Sequence, residues 1–170
     1  MARKHRSSRS WDPVADWYIN WTGKRGGRHH RQTAIPAALD LLDLQPGERL
    51  IDIGCGPGAL AREIARRVGK GGHVLAIDRS ARAIDSAVAG SKPEIASGRL
   101  RFRQVAVEDF ELLVGEERFD IAFAMRVGAL DGRQPEIGQR ALERLRAALK
   151  PAGRLFIDTG HPVREIRLDR

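Results

Sequence analysis

The chain has 170 residues, 42% of them hydrophobic and 31% charged, with a formal net charge of +8. That size suits one substantial core, a single cysteine excludes an internal disulfide framework and fits a reducing compartment, and no apolar run approaches the ~20 residues of a membrane helix. The N-terminus is basic but lacks the apolar stretch of a signal peptide, so a cytoplasmic protein is expected.

Residues 1–31 hold eight Lys or Arg (Arg3, Lys4, Arg6, Arg9, Lys24, Arg25, Arg28, Arg31) against only Asp12 and Asp16, and so carry most of the net charge. Within them Met1 to Ser10 interleaves serines with bases and has no aromatic residue for base stacking. It reads as a disordered basic arm over residues 1–10, and a nucleic-acid partner is not favoured. Residues 11–31 differ. Trp11, Trp17 and Trp21, all the tryptophans of the chain, fall here with its one tyrosine, Tyr18, and Gly23, Gly26 and Gly27 follow as a joint. Aromatics concentrated outside the strand-helix units suggest either a lid over a pocket or a cap on the sheet edge.

The domain proper is expected over residues 32–170. Arg31 to Leu42 reads as an amphipathic helix with Ile35, Leu39 and Leu42 on one face. Leu50-Ile51-Asp52-Ile53 then reads as a buried strand that breaks into Gly54-Cys55-Gly56-Pro57-Gly58 and opens a helix from Ala59 to Val68, with Leu60, Ile64 and Val68 on its apolar face. Glycines there permit positive φ and leave no Cβ where a ligand would lie against the backbone. Cys55, inside the turn, reads as a small residue in a backbone role rather than a nucleophile. His73 to Ile77 is a second strand closed by Asp78, an acid at the strand tip where a ribose diol is gripped in this class of fold.

Further along, Ser80 caps a helix over Ala81 to Ala89 with Ile84 and Val88 as its apolar face, and Leu100 to Val105 is a third strand with Arg101 and Arg103 on a polar side. Phe119 to Phe123 is the fourth strand. A long helix from Pro135 carries Ile137, Ala141, Leu145 and Leu149 on one stripe, and Leu149 to Ile157 supplies a turn and a fifth strand. Strand and helix alternate throughout, so the class is α/β, a Rossmann-like, doubly wound and mostly parallel sheet with ligands at the carboxyl ends of its strands.

The stretch Ile51 to Gly58 resembles motif I of the class I S-adenosylmethionine-dependent methyltransferases, whose Gly-x-Gly-x-Gly loop differs from the Gly-x-Gly-x-x-Gly of nicotinamide enzymes. The resemblance continues through Phe119 to Phe123 and Leu149 to Ile157, and covers about residues 32 to 158. It implies an S-adenosylmethionine cofactor, no metal, and cofactor contacts at Asp52, Gly54, Cys55, Gly56, Gly58, Asp78, Arg79, Val107, Glu108 and Met125. In one bacterial group Trp17-Tyr18, Gly26-Gly27, His30-Arg31 and Ile35-Pro36 also have counterparts, which places Tyr18 and Arg31 over the methionine end. A guanidinium can hold both oxygens of its carboxylate.

Two departures from the family pattern stand out. Where relatives place an adenine-binding aspartate after the third strand, this chain has Ala106, so Glu108 or Asp109 would have to substitute beside the backbone amide of Val107. Relatives also continue past the fifth strand into a helix and an antiparallel strand pair. This chain ends at Arg170, so the sheet is expected to lack that pair, as a truncation or with a partner such as a second copy of the chain over the open edge. Methyl transfer asks mainly for alignment, with a base only where the acceptor must lose a proton. His161 and Asp158 are the candidate catalytic residues. Ala124-Met125-Arg126-Val127 lacks the Asn/Asp-Pro-Pro-aromatic tetrad of amino-methylating nucleic-acid enzymes, which argues for a small-molecule acceptor. The alternatives are an RNA methyltransferase using the basic arm and a cofactor-binding protein without catalysis.

Overall fold

The computed structural model describes residues 35–158, 163–166 and 168. Their order is α1 (Ile35–Leu42), β1 (Arg49–Ile53), α2 (Ala59–Arg67), β2 (His73–Asp78), α3 (Ala81–Ala89), α4 (Lys92–Ala96), β3 (Leu100–Gln104), β4 (Phe119–Ala124), α5 (Pro135–Ala148), β5 (Leu149–Asp158) and β6 (Val163–Ile166), with single 3-10 turns at Val107–Asp109 and Gly128–Leu130. The sheet order is β3-β2-β1-β4-β5-β6. Every neighbouring pair is parallel except β5 with β6. The chain order therefore reverses direction between β1 and β4, and the carboxyl ends of these two strands part to leave the crevice of a doubly wound sheet.

Alternation along each strand divides the core into two layers. Leu50, Val74, Ala76, Ile121 and Phe123 face α1 and α2 with Leu39, Leu42, Leu60 and Ile64. Ile51, Ile53, Leu75, Ile77, Ala122 and Ala124 face the other way, toward Ala141 and Leu145 of α5. Both faces are covered, which is why these strands read as unbroken apolar runs. Ser80 caps α3 by accepting the Ala83 amide at 3.2 Å.

Four features depart from the sequence expectation. On α3 the buried positions are Ala83 and Ala87, while Val88 is exposed and Ile84 only half-buried. Small residues let this helix approach the sheet end closely, so its apolar face is not where its larger side chains are. The short α4, begun by Ser91 and Pro93, was not anticipated. At the far edge the sheet does not stop at β5, because β6 pairs with it antiparallel over Leu155 to Asp158, where an open edge was expected. The turn expected before the fifth strand lies inside it. Leu149 pairs with Phe119 and Arg154 with Ile121, so Lys150 to Gly153 bulge out of the ladder.

Candidate functional site

The site is built where β1 gives way to α2. Gly54, Gly56 and Gly58 have φ of 70°, 51° and 76°, the left-handed region that side chains with a Cβ rarely enter. Two of them are also pressed by neighbours. A Cβ on Gly54 would lie 2.9 Å from a methyl of Val127, and one on Gly58 would lie 3.0 Å from the Phe102 ring and 3.1 Å from Cβ of Ala87. The glycines therefore serve close packing from β3, α3 and the β4 exit, while Gly54 is exposed and Gly56 half-buried.

Asp78 closes the turn. One of its carboxylate oxygens accepts the Gly56 amide at 2.9 Å and the other the Ser80 amide at 2.9 Å. The Arg79 amide also bonds the carboxylate, which keeps lone-pair capacity for a hydroxyl donor. Burial raises its pKa, against the pull of those amides and the nearby Arg79 charge. Arg79 is half-buried beside it, and its carbonyl faces the Gln104 amide nitrogen at 3.5 Å.

Asp52 lies on the same sheet face as Asp78, opposite Ala76 of β2 and Phe123 of β4. It is 3% exposed, and one carboxylate oxygen has no hydrogen-bond partner among the described residues. Burial, with the Asp78 charge behind it, pushes its pKa up to about 7. A buried acid with an unsatisfied oxygen beside a second acid is suited to a cation. Cys55, in the turn, is buried as well. Its thiol is raised well above the usual range by burial and by Asp52 and Asp78, and so stays a neutral thiol rather than a nucleophile.

The remaining predicted residues fall around this turn in part. Val107 is buried at the start of a 3-10 turn that follows β3, and Glu108 beside it is half-buried. Asp109 is engaged by Arg140 of α5 at 2.6 Å, which leaves Glu108 as the acid of that turn without an ion pair among the described residues. Met125 leaves β4 half-buried against the α1–α2 layer. Asp158 ends β5, opposite Val163. Tyr18, Arg31 and His161 lie outside the described residues, as do the basic arm and the aromatic segment.

Two further residues lie against the turn: Arg126, expected from the sequence to flank the cofactor's methionine and the substrate mouth with Met125, and Arg62, which sequence reading passed over. Arg126 has φ of 56°, unusual for a side chain of its size, and the chain reversal there brings Val127 over Gly54. Arg62 of α2 reaches back to the Pro57 carbonyl at 2.9 Å. No local motif marks Arg62. Among the described residues no His/Cys/Asp/Glu group could hold a metal ion, and no helix is long and apolar enough to cross a membrane.

Comparison with known proteins agrees with this architecture. Residues 44–167 match a family described as a methyltransferase domain. The nocamycin O-methyltransferase of Saccharothrix syringae is 34% identical over 129 residues, covering 76% of this chain and 44% of that protein. The 2-phytyl-1,4-naphtoquinone methyltransferase of Trichormus variabilis is 30% identical over 145 residues, covering 85% of this chain and 59% of that one. The chain thus spans about half the length of these relatives. Other matches are named as methyltransferases of protein L-isoaspartate, in Arabidopsis thaliana, and of large-subunit ribosomal RNA, in Xanthomonas oryzae. Among solved structures, a methyltransferase of Thiobacillus denitrificans in complex with S-adenosyl-L-homocysteine superposes with a TM-score of 0.62 at 19% identity, covering 84% of this chain and 54% of that one. That likeness is one of fold.

Proposed function

The chain belongs to the S-adenosylmethionine-dependent methyltransferase family, and from that premise we propose that it binds S-adenosylmethionine over the β1–α2 turn and methylates a small-molecule acceptor. The observation that carries this reading is the turn itself, with three left-handed glycines and the Gly56 amide held by the strand-tip acid Asp78. In this reading Gly54, Cys55, Gly56 and Gly58 support the methionine part, Asp52 meets its ammonium, and Asp78 and Arg79 hold the ribose. Val107 and Glu108 face the adenine, Met125 flanks the sulfur, and Tyr18 and Arg31 close over the carboxylate. The unpartnered Asp52 oxygen, with Gly54 exposed and Gly56 half-buried in the turn that follows it, fits a ligand that is cationic at one end and slender along its chain.

The cofactor supplies a methyl group on a sulfonium whose departure leaves a neutral thioether. The protein's task is then to hold the acceptor atom in line with that carbon and to keep water out. Where the acceptor is a hydroxyl that must shed its proton, Asp158 at the β5 tip and His161 just beyond it are the bases to test. Relatives named for nocamycin and for a phytyl-naphtoquinone support a small-molecule acceptor.

Calorimetric titration with S-adenosylhomocysteine tests the reading: one-to-one saturable binding is expected, and Asp78→Ala should weaken it about tenfold or more while the domain stays folded. A folded chain that takes up no ligand would sink the proposal. An RNA acceptor is the second reading, favoured by the basic residues of 1–31 and by the ribosomal RNA relative. Salt-sensitive RNA binding that vanishes on removing residues 1–10 would carry it instead.

A further inference from the structure

Arg62 is only 8% exposed and stands in the first turn of α2, the helix end least suited to a positive charge. Burial lowers its pKa. Both features oppose placing a cation here, so the contacts it makes need a reason. Its Nη1 donates to the Pro57 carbonyl at 2.9 Å and to Ser91 Oγ at 3.1 Å. Ser91 is itself fully buried, and its hydroxyl donates to the Ala87 carbonyl at the end of α3 at 2.6 Å. Ser91 also begins α4, whose buried Glu94 accepts from Arg66 of α2 at 2.8 Å.

Pro57 is the middle residue between Gly56 and Gly58. The backbone bonds of the turn run instead from Gly58 to the Cys55 carbonyl and from Arg62 to the Gly58 carbonyl, so the Pro57 carbonyl depends on the guanidinium. The turn is thus held on three sides, by Asp78 at the Gly56 amide, by Phe102 and Ala87 against Gly58, and by Arg62 at Pro57.

We infer that Arg62 is a positioning residue for cofactor capture: through Pro57 and Ser91 it fastens the glycine turn to the α3–α4 junction and fixes the surface on which the methionine part lies. The inference rests on the cofactor reading above. It makes a directional demand, because a turn that loses this anchor loses its grip on the methionine part and keeps its grip on the nucleoside, which Asp78 and Val107 hold independently.

The test compares two ligands on folded protein, S-adenosylhomocysteine and 5′-methylthioadenosine, the second of which lacks the amino-acid part. Arg62→Met should weaken S-adenosylhomocysteine about tenfold and 5′-methylthioadenosine less than about twofold, and Arg62→Lys, which keeps one donor, should fall between parent and Arg62→Met. Should Arg62→Met fail to fold, Ser91→Ala and Arg62→Lys replace it, each with a smaller loss in the same order. Equal losses for both ligands, or no loss in a folded variant, overturn the positioning role. A parent chain that binds 5′-methylthioadenosine and S-adenosylhomocysteine equally well overturns it too, and one that binds neither overturns the cofactor reading from which it starts.

Discussion

Asp52 shows how one residue can set a pH dependence. Its carboxyl titrates near 7 in the folded chain, against 3.8 for the free group, because it is buried beside Asp78 and no described side chain gives its second oxygen a hydrogen bond. A folded-state pKa above the unfolded value means the folded chain binds the proton more tightly, so this group's contribution to stability is fully present below about 3.8 and is lost as pH rises through about 7. Asp78, also raised, adds the same sign, whereas Glu116, lowered by the Leu113 amide and by Arg103, and Asp120, lowered by Lys150, act in the opposite direction in acid. The melting temperature of the ligand-free parent should therefore fall relative to that of Asp52→Asn between pH 5.5 and 8, a difference of several degrees. Parallel melting curves for the two would remove the assignment. The proposed ammonium contact supplies the missing cation, so affinity for S-adenosylhomocysteine should rise by up to about tenfold per pH unit below 7. Calorimetry in two buffers of different ionisation heat should register proton release at pH 6.5. At the neighbouring turn, Gly56→Val should abolish binding, since a branched residue resists a φ of 51°. A folded Gly56→Val chain with parental affinity would reduce the turn to a structural role.

At the scale of elements, α3 and the β5–β6 edge carry the main lessons. Ala87 sits 3.1 Å from the place a Gly58 Cβ would occupy, so helix and turn are fitted to each other through two small residues. Ala87→Leu should overpack this contact, lower stability by about 1–3 kcal/mol, and weaken cofactor binding, because the displaced partner is the glycine turn. Denaturant unfolding and calorimetry check the two effects, and a stability loss without an affinity loss would show that α3 is independent of the site. The same helix explains why its face was misread: Ile84 and Val88 are its large apolar residues, but the space against Phe102 and Gly58 admits only alanine. By contrast the strand Leu50 to Ile53, the turn, and Asp78 at the second strand tip were legible, since each is a contiguous pattern governed by local backbone demands. What was illegible is made by distant partners. Arg62 meets Ser91 across 29 residues, Arg140 takes Asp109 across 31, and the four residues of β6 become a strand only because β5 presents an edge to them.

Over the whole molecule, the reversal of strand order between β1 and β4 gathers the glycine turn, Asp78, the 3-10 turn at Val107 and the β4 exit at one end of the sheet. The opposite end is closed by ion pairs and amides that tie strand starts together, among them Asp120 accepting from Arg49 at 2.9 Å and from Lys150 at 2.8 Å. The glycine turn and these strand-start ion pairs thus lie at opposite ends of one core. Residues 11–31 remain to be connected to the binding end, and the distribution of tryptophan makes that connection measurable. All three tryptophans, Trp11, Trp17 and Trp21, belong to this segment, and none occurs in the rest of the chain. Intrinsic tryptophan emission therefore reports on the segment alone, with no background from the core. If the segment closes over the cofactor, with Tyr18 and Arg31 at its methionine end, saturating S-adenosylhomocysteine should shift that emission and slow protease cleavage between Lys24 and Arg28, because a reactive sulfonium has to be shielded from water. Asp78→Ala, at ligand concentrations too low to saturate it, should show neither change, which ties the signal to occupancy of the site. Emission and cleavage both unaltered at full occupancy of the parent would make the segment a fixed cap, and the contacts of Tyr18 and Arg31 would be withdrawn.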